Sequence, residues 1–564
     1  MRHASGSVRR SLARNIDVPF QLPNPSPTFG VRPGDDIRNH FAVTGPADFG
    51  DQVNSTLRLA QRSSLTSPAP FVSRSRTLKP AVVMLPPKTL PPKNLTPKTL
   101  TLRAFAGFAA LVAAAVFCTP QPALGQTAEI VTRRSGEDWP RFLGKTFDGK
   151  SPETGIRTDW SADRLPIVWT MPIGTGYGIG AIAGGRYFQH ERVGDVERLR
   201  AVEAETGKPL WQTDQPVDYA DMYGYNNGPR DTPAVDGDSV VTFGVSGRLT
   251  CRDVRDGKPR WSLDTSARYG VIQNFFGVGC SPLIHNGKVI VMVGGSPKED
   301  ALIPPGRLDR VTPNGSALVA FDLATGQEVW KVGDDLASYG SPRLMTIDDT
   351  TVILIFARDG LLAVEAETGK ALWHYPHRSP MLESVNAMVP VVSGNRVLIS
   401  ECYEVGSVLL EVRLDGVREI WKDPPSRRLQ FFRAHWSTPI LVDDWIFGCS
   451  GRNQPDSDLR AVRLSDRAEG WVDRRHVRSS LLHVDGHFVV LDENGLMELI
   501  KADPSNLTVI TETDLEVVTP PRALAGYVPL KPPYWAAPIL SHGLLYVRGE
   551  EGVACFDLIP TAKK

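Results

Sequence analysis

Arginine, histidine, carboxylate and tryptophan side chains gather in short segments that are not copies of one another. They are NNGPRD (Asn226–Asp231), QNFFGVG (Gln273–Gly279), LESVN (Leu382–Asn386), ECYEVG (Glu401–Gly406), FFRAHW (Phe431–Trp436), CSGRNQPDSD (Cys449–Asp458), RRHVRSS (Arg474–Ser480) and PPYW (Pro532–Trp535). Within them, Arg230, Arg452 and Arg478 offer planar forks for acidic groups, Asn386 and Glu401 offer hydrogen bonds, and His435 and Trp436 offer flat faces for stacking. A mixed set of this kind suits a sugar-like, carboxylated or peptide ligand. The same residues would also serve as solvated loop residues or as internal ion pairs, and His435 as a structural imidazole. None of them falls in a pattern that assigns a catalytic role.

Other chemistries lack their signatures. The six cysteines, Cys118, Cys251, Cys280, Cys402, Cys449 and Cys555, form no CxxC, no CxxCH and no adjacent pair, so neither a zinc cluster nor covalent c-type haem is indicated. There is no GxSxG, HExxH or P-loop. GTGYGIG (Gly174–Gly180) looks like a dinucleotide loop but leads into a strand and opens no helix. No metal-ligand set is assigned, although carboxylates for Ca²⁺ are abundant.

The elements that must position these segments are repeats. AVEAETGKPLW (Ala201–Trp211) and AVEAETGKALW (Ala363–Trp373) differ at one of eleven positions. Looser copies are CRDVRDGKPRW (Cys251–Trp261), AFDLATGQEVW (Ala320–Trp330), LEVRLDGVREIW (Leu410–Trp421) and AVRLSDRAEGW (Ala461–Trp471); IKADPSNLTVIT (Ile500–Thr511) has lost both glycine and tryptophan. Upstream of most copies stand two short apolar runs joined by a turn rich in Gly, Asn and Asp, as in SPLIHNGKVIVMVG (Ser281–Gly294), the pattern of a tight hairpin. Each unit therefore reads as strands A, B, C and D, and repetition of such units describes a propeller. The last unit has A, B and C only, while PIVWTMPI (Pro166–Ile173) is a spare strand carrying Trp169. The expected fold is all-β: an eight-bladed β-propeller of four-stranded antiparallel blades over residues 165–564, closed by the N-terminal strand. Trp169, Trp211, Trp261, Trp330, Trp373, Trp421 and Trp471 are expected to dock each blade on the next, since a ligand site occurs once and a blade contact recurs. Cys251 and Cys555 share the slot of Ala201, Ala320 and Ala363, as small packing residues. In a propeller, the D-to-A junctions and B-to-C loops lie on one face, which places the unrepeated segments around the channel mouth. The long B-to-C loop Gly295–Gly315 is a candidate lid there.

The A-x-D-x-x-T-G-x-x-x-W pattern resembles the tryptophan-docking motif of the quinoprotein alcohol dehydrogenase-like superfamily. The resemblance covers residues 165–558 and is nearest to PQQ-like repeat proteins of secreted bacterial type and to periplasmic propellers that assist outer-membrane protein assembly. It implies two functions. One is a non-catalytic binding or assembly scaffold with a small molecule, a glycan or a protein at the channel face. The other is a PQQ-dependent oxidoreductase, in which PQQ and Ca²⁺ would sit beneath a disulfide between adjacent cysteines. This chain lacks that cysteine pair, which weighs toward the scaffold.

Residues 1–125 hold 15 Lys and Arg against 5 Asp and Glu, leaving 48 against 58 in the remainder. An acidic body lacks the basic footprint of nucleic-acid binding, and a monomer is expected. Residues 1–83 are rich in Arg, Ser and Pro without periodicity, consistent with disorder or an over-extended start. In 84–125, lysines and Arg103 precede the apolar run Ala104–Phe117, and Ala123-Leu124-Gly125 offers a cleavage point before Gln126. That is a signal-peptide pattern, with export to the periplasm or outside the cell. A lipid anchor at Cys118 or a retained anchor are the alternatives that would bring membrane contact. Residues 126–164 read as an N-terminal extension.

Overall fold

The structure is a computed structural model that describes residues 130, 132, 135–161, 165–516 and 526–561. The expected start, signal segment and cleavage point lie outside the described residues.

Eight antiparallel sheets form the ring. Blade 1 consists of Ala181–Ala183, Arg186–Val193, Val196–Glu203 and Pro209–Pro216. Blades 2 to 7 follow in chain order over 234–264, 283–332, 343–376, 391–422, 440–473 and 480–514. Blade 8 joins Ile539–Ser541, Leu544–Arg548 and Gly552–Asp557 to the N-terminal Ile167–Pro172, so the spare strand closes the ring as its sequence implies. Strands A of neighbouring blades touch one another around the centre. Strands B and C are covered on both faces by adjacent blades and so read as continuous buried runs, such as Ser239–Phe243 and the four inner residues of Leu496–Lys501. Strands D lie outermost and alternate exposed with half-buried positions, as in Pro209–Pro216. The A–B hairpins use paired positive φ values, as at Asn286 (45°) and Gly287 (70°), the geometry that the Asn-Gly dipeptide supplies.

The docking tryptophans behave as one device. In register, Trp211 stands opposite Ala201, Trp261 opposite Cys251, Trp373 opposite Ala363 and Trp169 opposite Cys555, which places both cysteines in the small-residue slot. Each indole donates Nε1–H to a carbonyl of the next blade: Trp169 to Ala204 (2.9 Å), Trp211 to Val254 (3.0 Å), Trp261 to Leu323 (2.8 Å), Trp373 to Arg413 (2.8 Å), Trp421 to Leu464 (2.9 Å) and Trp471 to Asp503 (2.9 Å). Trp330 is the exception: it keeps the packing, against Gly369, but its buried Nε1–H has no acceptor among the described residues. The TG turn has to be glycine for two reasons: Gly369 has φ +72°, and a Cβ there would fall 2.5 Å from the Trp330 ring.

Blade 7 has Thr511 where the tryptophan belongs, opposite Leu499. The N-terminal extension repairs that joint. Arg157 N–H donates to Leu558 O (2.8 Å), the carbonyl equivalent to the other indole acceptors, and Trp160, 4% exposed, donates its backbone N–H to Thr511 Oγ1 (3.1 Å) and its indole Nε1–H to Arg157 O (3.0 Å). Upstream, the extension runs along the A–B-turn end of the channel. Its backbone oxygens accept from Ser541 (at Glu137), Ile182 (at Trp139), Val235 (at Pro140), Arg343 (at Phe147) and His483 (at Gly149), which belong to blades 8, 1, 2, 4 and 7. Lys150–Ser151 pairs in parallel with Ser480–Val484, so blade 7 is five-stranded, a departure from the uniform four-stranded blades expected.

Candidate binding site at the channel mouth

The face opposite the extension is built from the B–C loops and D–A junctions. Their side chains form a continuous ladder of rings and guanidinium planes. Arg230 lies over Tyr177 (5.2 Å) and Phe276 (5.9 Å). Tyr177 meets Trp535 at 5.0 Å, Trp535 meets Trp436 at 5.4 Å, Trp436 meets His435 at 4.5 Å and His435 meets Tyr403 at 5.6 Å. Arg478 stacks on both Trp436 (5.4 Å) and Trp535 (5.3 Å), and Arg452 lies over Tyr403 (4.9 Å). These contacts are of the cation–π and offset-ring kinds that favour flat, partly desolvated faces.

The three arginines differ in how their charge is met. Arg230 forms an ion pair with buried Asp221 (2.8 Å) and Arg478 with Glu493 (2.5 Å), while Glu493 also accepts from Trp535 Nε1 (2.8 Å). Half-buried Arg452 has no hydrogen-bond or ion-pair partner among the described residues, only the Tyr403 ring. Three polar atoms here are buried without a hydrogen-bond partner among the described residues: Trp436 Nε1, His435 Nδ1 and Arg478 Nε. His435 Nε2 lies 3.0 Å from Tyr403 Oη. Burial, with Arg452 and Arg478 adding repulsion, pushes the imidazole down to about 3, so it is uncharged at neutral pH.

Of the seven candidate residues, the structure brings Arg230, His435, Trp436, Arg452 and Arg478 into this ladder. Asn386 and Glu401 lie beneath it and are engaged internally. Asn386 donates Nδ2–H to Ala357 O, Arg358 O and His377 O (2.8, 3.1 and 3.2 Å) and shapes the junction into blade 5. Glu401, 1% exposed, accepts from Tyr403 N–H and Val405 N–H (both 2.6 Å) and closes the B–C loop of that blade. Burial pushes its carboxyl up to about 7.

Sequence reasoning passed over Tyr177, Phe276, Tyr403 and Trp535. Phe276, Tyr403 and Trp535 stand in the same unrepeated segments, so an aromatic census of those segments would have found them. Tyr223 and Tyr225, 43% and 48% exposed, extend the rings onto the rim through Phe276. They follow strand D of blade 1, where nothing but aromatic content marks them. The candidate lid is tied beside them: Gly306 N–H donates to Gln273 O (2.9 Å), and Asn314 Nδ2–H to Tyr269 O and Ser296 O (both 2.9 Å).

An eight-bladed ring with tryptophan-docked joints defines the PQQ-like propeller class. A family model described as outer membrane protein assembly factor BamB matches residues 165–296 and 195–506, and the chain belongs to that family. Curated relatives match smaller parts. An uncharacterised protein of Rickettsia prowazekii (strain Madrid E) is 23% identical over 177 residues, 31% of this chain and 36% of that protein. The quinohemoprotein alcohol dehydrogenase ADH-IIG of Pseudomonas putida is 25% identical over 180 residues, 32% of this chain and 22% of that enzyme. The aligned stretches thus span about a third or less of these relatives. Among solved structures, a europium-containing methanol dehydrogenase superposes with TM-score 0.53 at 13% identity, covering 74% of this chain and 90% of the other. The quinohemoprotein alcohol dehydrogenase of Comamonas testosteroni gives 0.51 at 12% identity, covering 76% and 81%. At such identities the likeness concerns the fold alone.

Proposed function

We propose that the chain is an exported binding or assembly scaffold that takes an acidic, sugar-like or peptide ligand at the arginine–aromatic mouth. The observation that supports it is Arg452, a guanidinium stacked on Tyr403 with no acid partner among the described residues, in the same ladder as Trp436, whose Nε1–H has no partner among them either. A half-desolvated cation and a flat aromatic surface together recognise a carboxylate joined to a planar or ring-shaped body. A family described as an outer membrane protein assembly factor is in keeping with a role in which binding, and not turnover, is the activity. Screening glycan and peptide arrays, followed by calorimetry, tests this. Arg452→Ala and Trp436→Ala should each weaken a bound ligand by about tenfold, the loss of roughly one charge-assisted or stacking contact. A ligand set indifferent to both substitutions would sink the mouth reading.

The oxidoreductase reading needs carboxylates free to hold Ca²⁺ and to act as base. Glu401 is committed to backbone N–H groups and Glu493 to Arg478 and Trp535. Among the described residues, no three of His, Cys, Asp and Glu converge as a metal-holding group. The residues present do not assemble that donor set, and no step through a quinone is derived. Adding PQQ and Ca²⁺ and following the absorption spectrum and dye reduction discriminates the two readings: quinone bound with turnover replaces the scaffold.

A further inference from the structure

A second concavity lies on the opposite face, where the extension crosses the A–B turns of blades 8, 1 and 2. It encloses about 530 Å³, a size suited to a small organic molecule, and its rim at Gly136, Lys145, Asp236 and Gly237 is exposed. Two guanidinium groups line it with no ion pair or hydrogen bond to an acid among the described residues, although Asp236 acts on Arg141 through its charge. Arg141 gives one N–H to Ile284 O (3.4 Å) and lies over the Phe147 ring (5.1 Å), and its buried Nε–H has no acceptor among the described residues. Arg186 gives one N–H to Gly184 O (3.1 Å), and its buried Nε–H likewise has no acceptor among the described residues. Asp236, an exposed carboxylate on the blade 2 turn, lines the same space and has no hydrogen-bond or ion-pair partner among the described residues. The remaining charges are paired: Asp138 with His542 (3.2 Å) and Gly184 N–H (3.1 Å), and Lys145 with Glu137 (3.7 Å).

Charge balance narrows the ligand class. Arg141, Lys145 and Arg186 face Glu137, Asp138 and Asp236, three cations against three carboxylates. A polyanion would meet the acids, and a polycation would meet the arginines. A molecule with one acidic and one basic end satisfies the unpaired groups of both signs at once. We propose that this cavity is a binding site for a small zwitterion, an amino acid or short peptide, with its carboxylate on Arg186 and Arg141 and its ammonium on Asp236. The charge-assisted hydrogen bonds so formed would replace those that burial and the fold leave open at the guanidinium groups. The extension supplies one wall and the hairpins the other, so the site exists only where residues 136–145 are seated.

Calorimetric titration of the full chain with a panel of free amino acids and dipeptides tests this, with succinate and N-acetylated, C-amidated counterparts as controls. Arg186→Gln and Asp236→Asn are turn-face substitutions that leave the core untouched, and circular dichroism checks that both variants are folded. The expected result is saturable binding of a zwitterion, lowered about tenfold by each substitution, with Asp236→Asn erasing the preference for a free amine and Arg186→Gln the preference for a free carboxylate. No binding at millimolar concentration overturns the proposal, as does binding that both variants retain. Succinate bound as tightly as the zwitterions overturns the ligand class.

Discussion

Glu401 shows how a residue type with chemical potential is spent on structure. Its carboxylate is the acceptor that holds the turn Glu401–Gly406, and burial raises its pKa from 4.5 to about 7. An acid whose folded pKa is raised contributes its stability below the unfolded value, and that contribution is lost as pH climbs through the folded one. The wild type should therefore lose up to about 3 kcal/mol of stability between pH 4.5 and about 7 from this group alone. Urea unfolding of wild type and Glu401→Gln across that range measures the difference; parallel curves would show that the carboxyl is not buried as described. His435 follows the opposite sign. Its pKa is depressed to about 3, so the contribution of the neutral ring is present above pH 6.5 and falls away as pH drops toward 3.

At the scale of elements, the joints between blades carry the energetics. Replacing Gly369 (φ +72°) by Ala adds both backbone strain and a clash with the Trp330 ring, whereas Gly394 (φ +61°) has no atom within 4 Å of the added Cβ. Gly369→Ala should cost at least twice what Gly394→Ala does, the latter about 1 kcal/mol from the backbone term alone. Thermal melts of the two variants decide, and equal losses would mean that the tryptophan joint yields freely. Trp160 should behave as an eighth docking tryptophan supplied from outside the repeat. Trp160→Ala should destabilise by about 3–5 kcal/mol, the range for emptying a buried indole site. Because Trp160 bonds Thr511 of blade 7, and Arg157, which its indole bonds, docks on Leu558 after blade 8, amide exchange should quicken first at Val509–Asp514 and Gly552–Asp557; a uniform effect around the ring would argue against a local joint.

For the whole molecule, the two ends of the channel are built differently. The mouth is assembled from inter-strand loops, whereas the extension binds the other end of the channel together through Ser541, Ile182, Val235, Arg343 and His483. Proteolysis or truncation within 135–160 should therefore lower the cooperativity of unfolding of the entire ring, and not merely trim a tail. Differential scanning calorimetry of a chain cleaved there would show a broadened, lower transition; an unchanged one would make the extension dispensable. Export is read from the basic, then apolar, run ending at Phe117. Sequencing the N-terminus of the protein recovered from the periplasm or medium should begin at Gln126, and a start within 1–83 would remove that reading.

Ring architecture was legible because it rests on local signals repeated many times. Alternation, turn glycines and a tryptophan at constant spacing declare each blade, and eight weak signals sum to a strong one. Even the closing strand was visible, since a blade missing strand D and a spare strand carrying Trp169 imply each other. The mouth was legible only as a location. Which of its polar residues face outward depends on the third dimension: Asn386 and Glu401 are as polar as Arg452, yet loop closure turns them into the core and leaves Arg452 on a ring face. The part of the extension in the joint was hidden for a similar reason. Trp160 lies about 350 residues from Thr511, whose position it serves (|i−j| = 351), and no periodicity relates a single tryptophan to a gap that far along the chain. Local repetition determines that these blades form; only the closed ring decides which side chains are left over at its two ends.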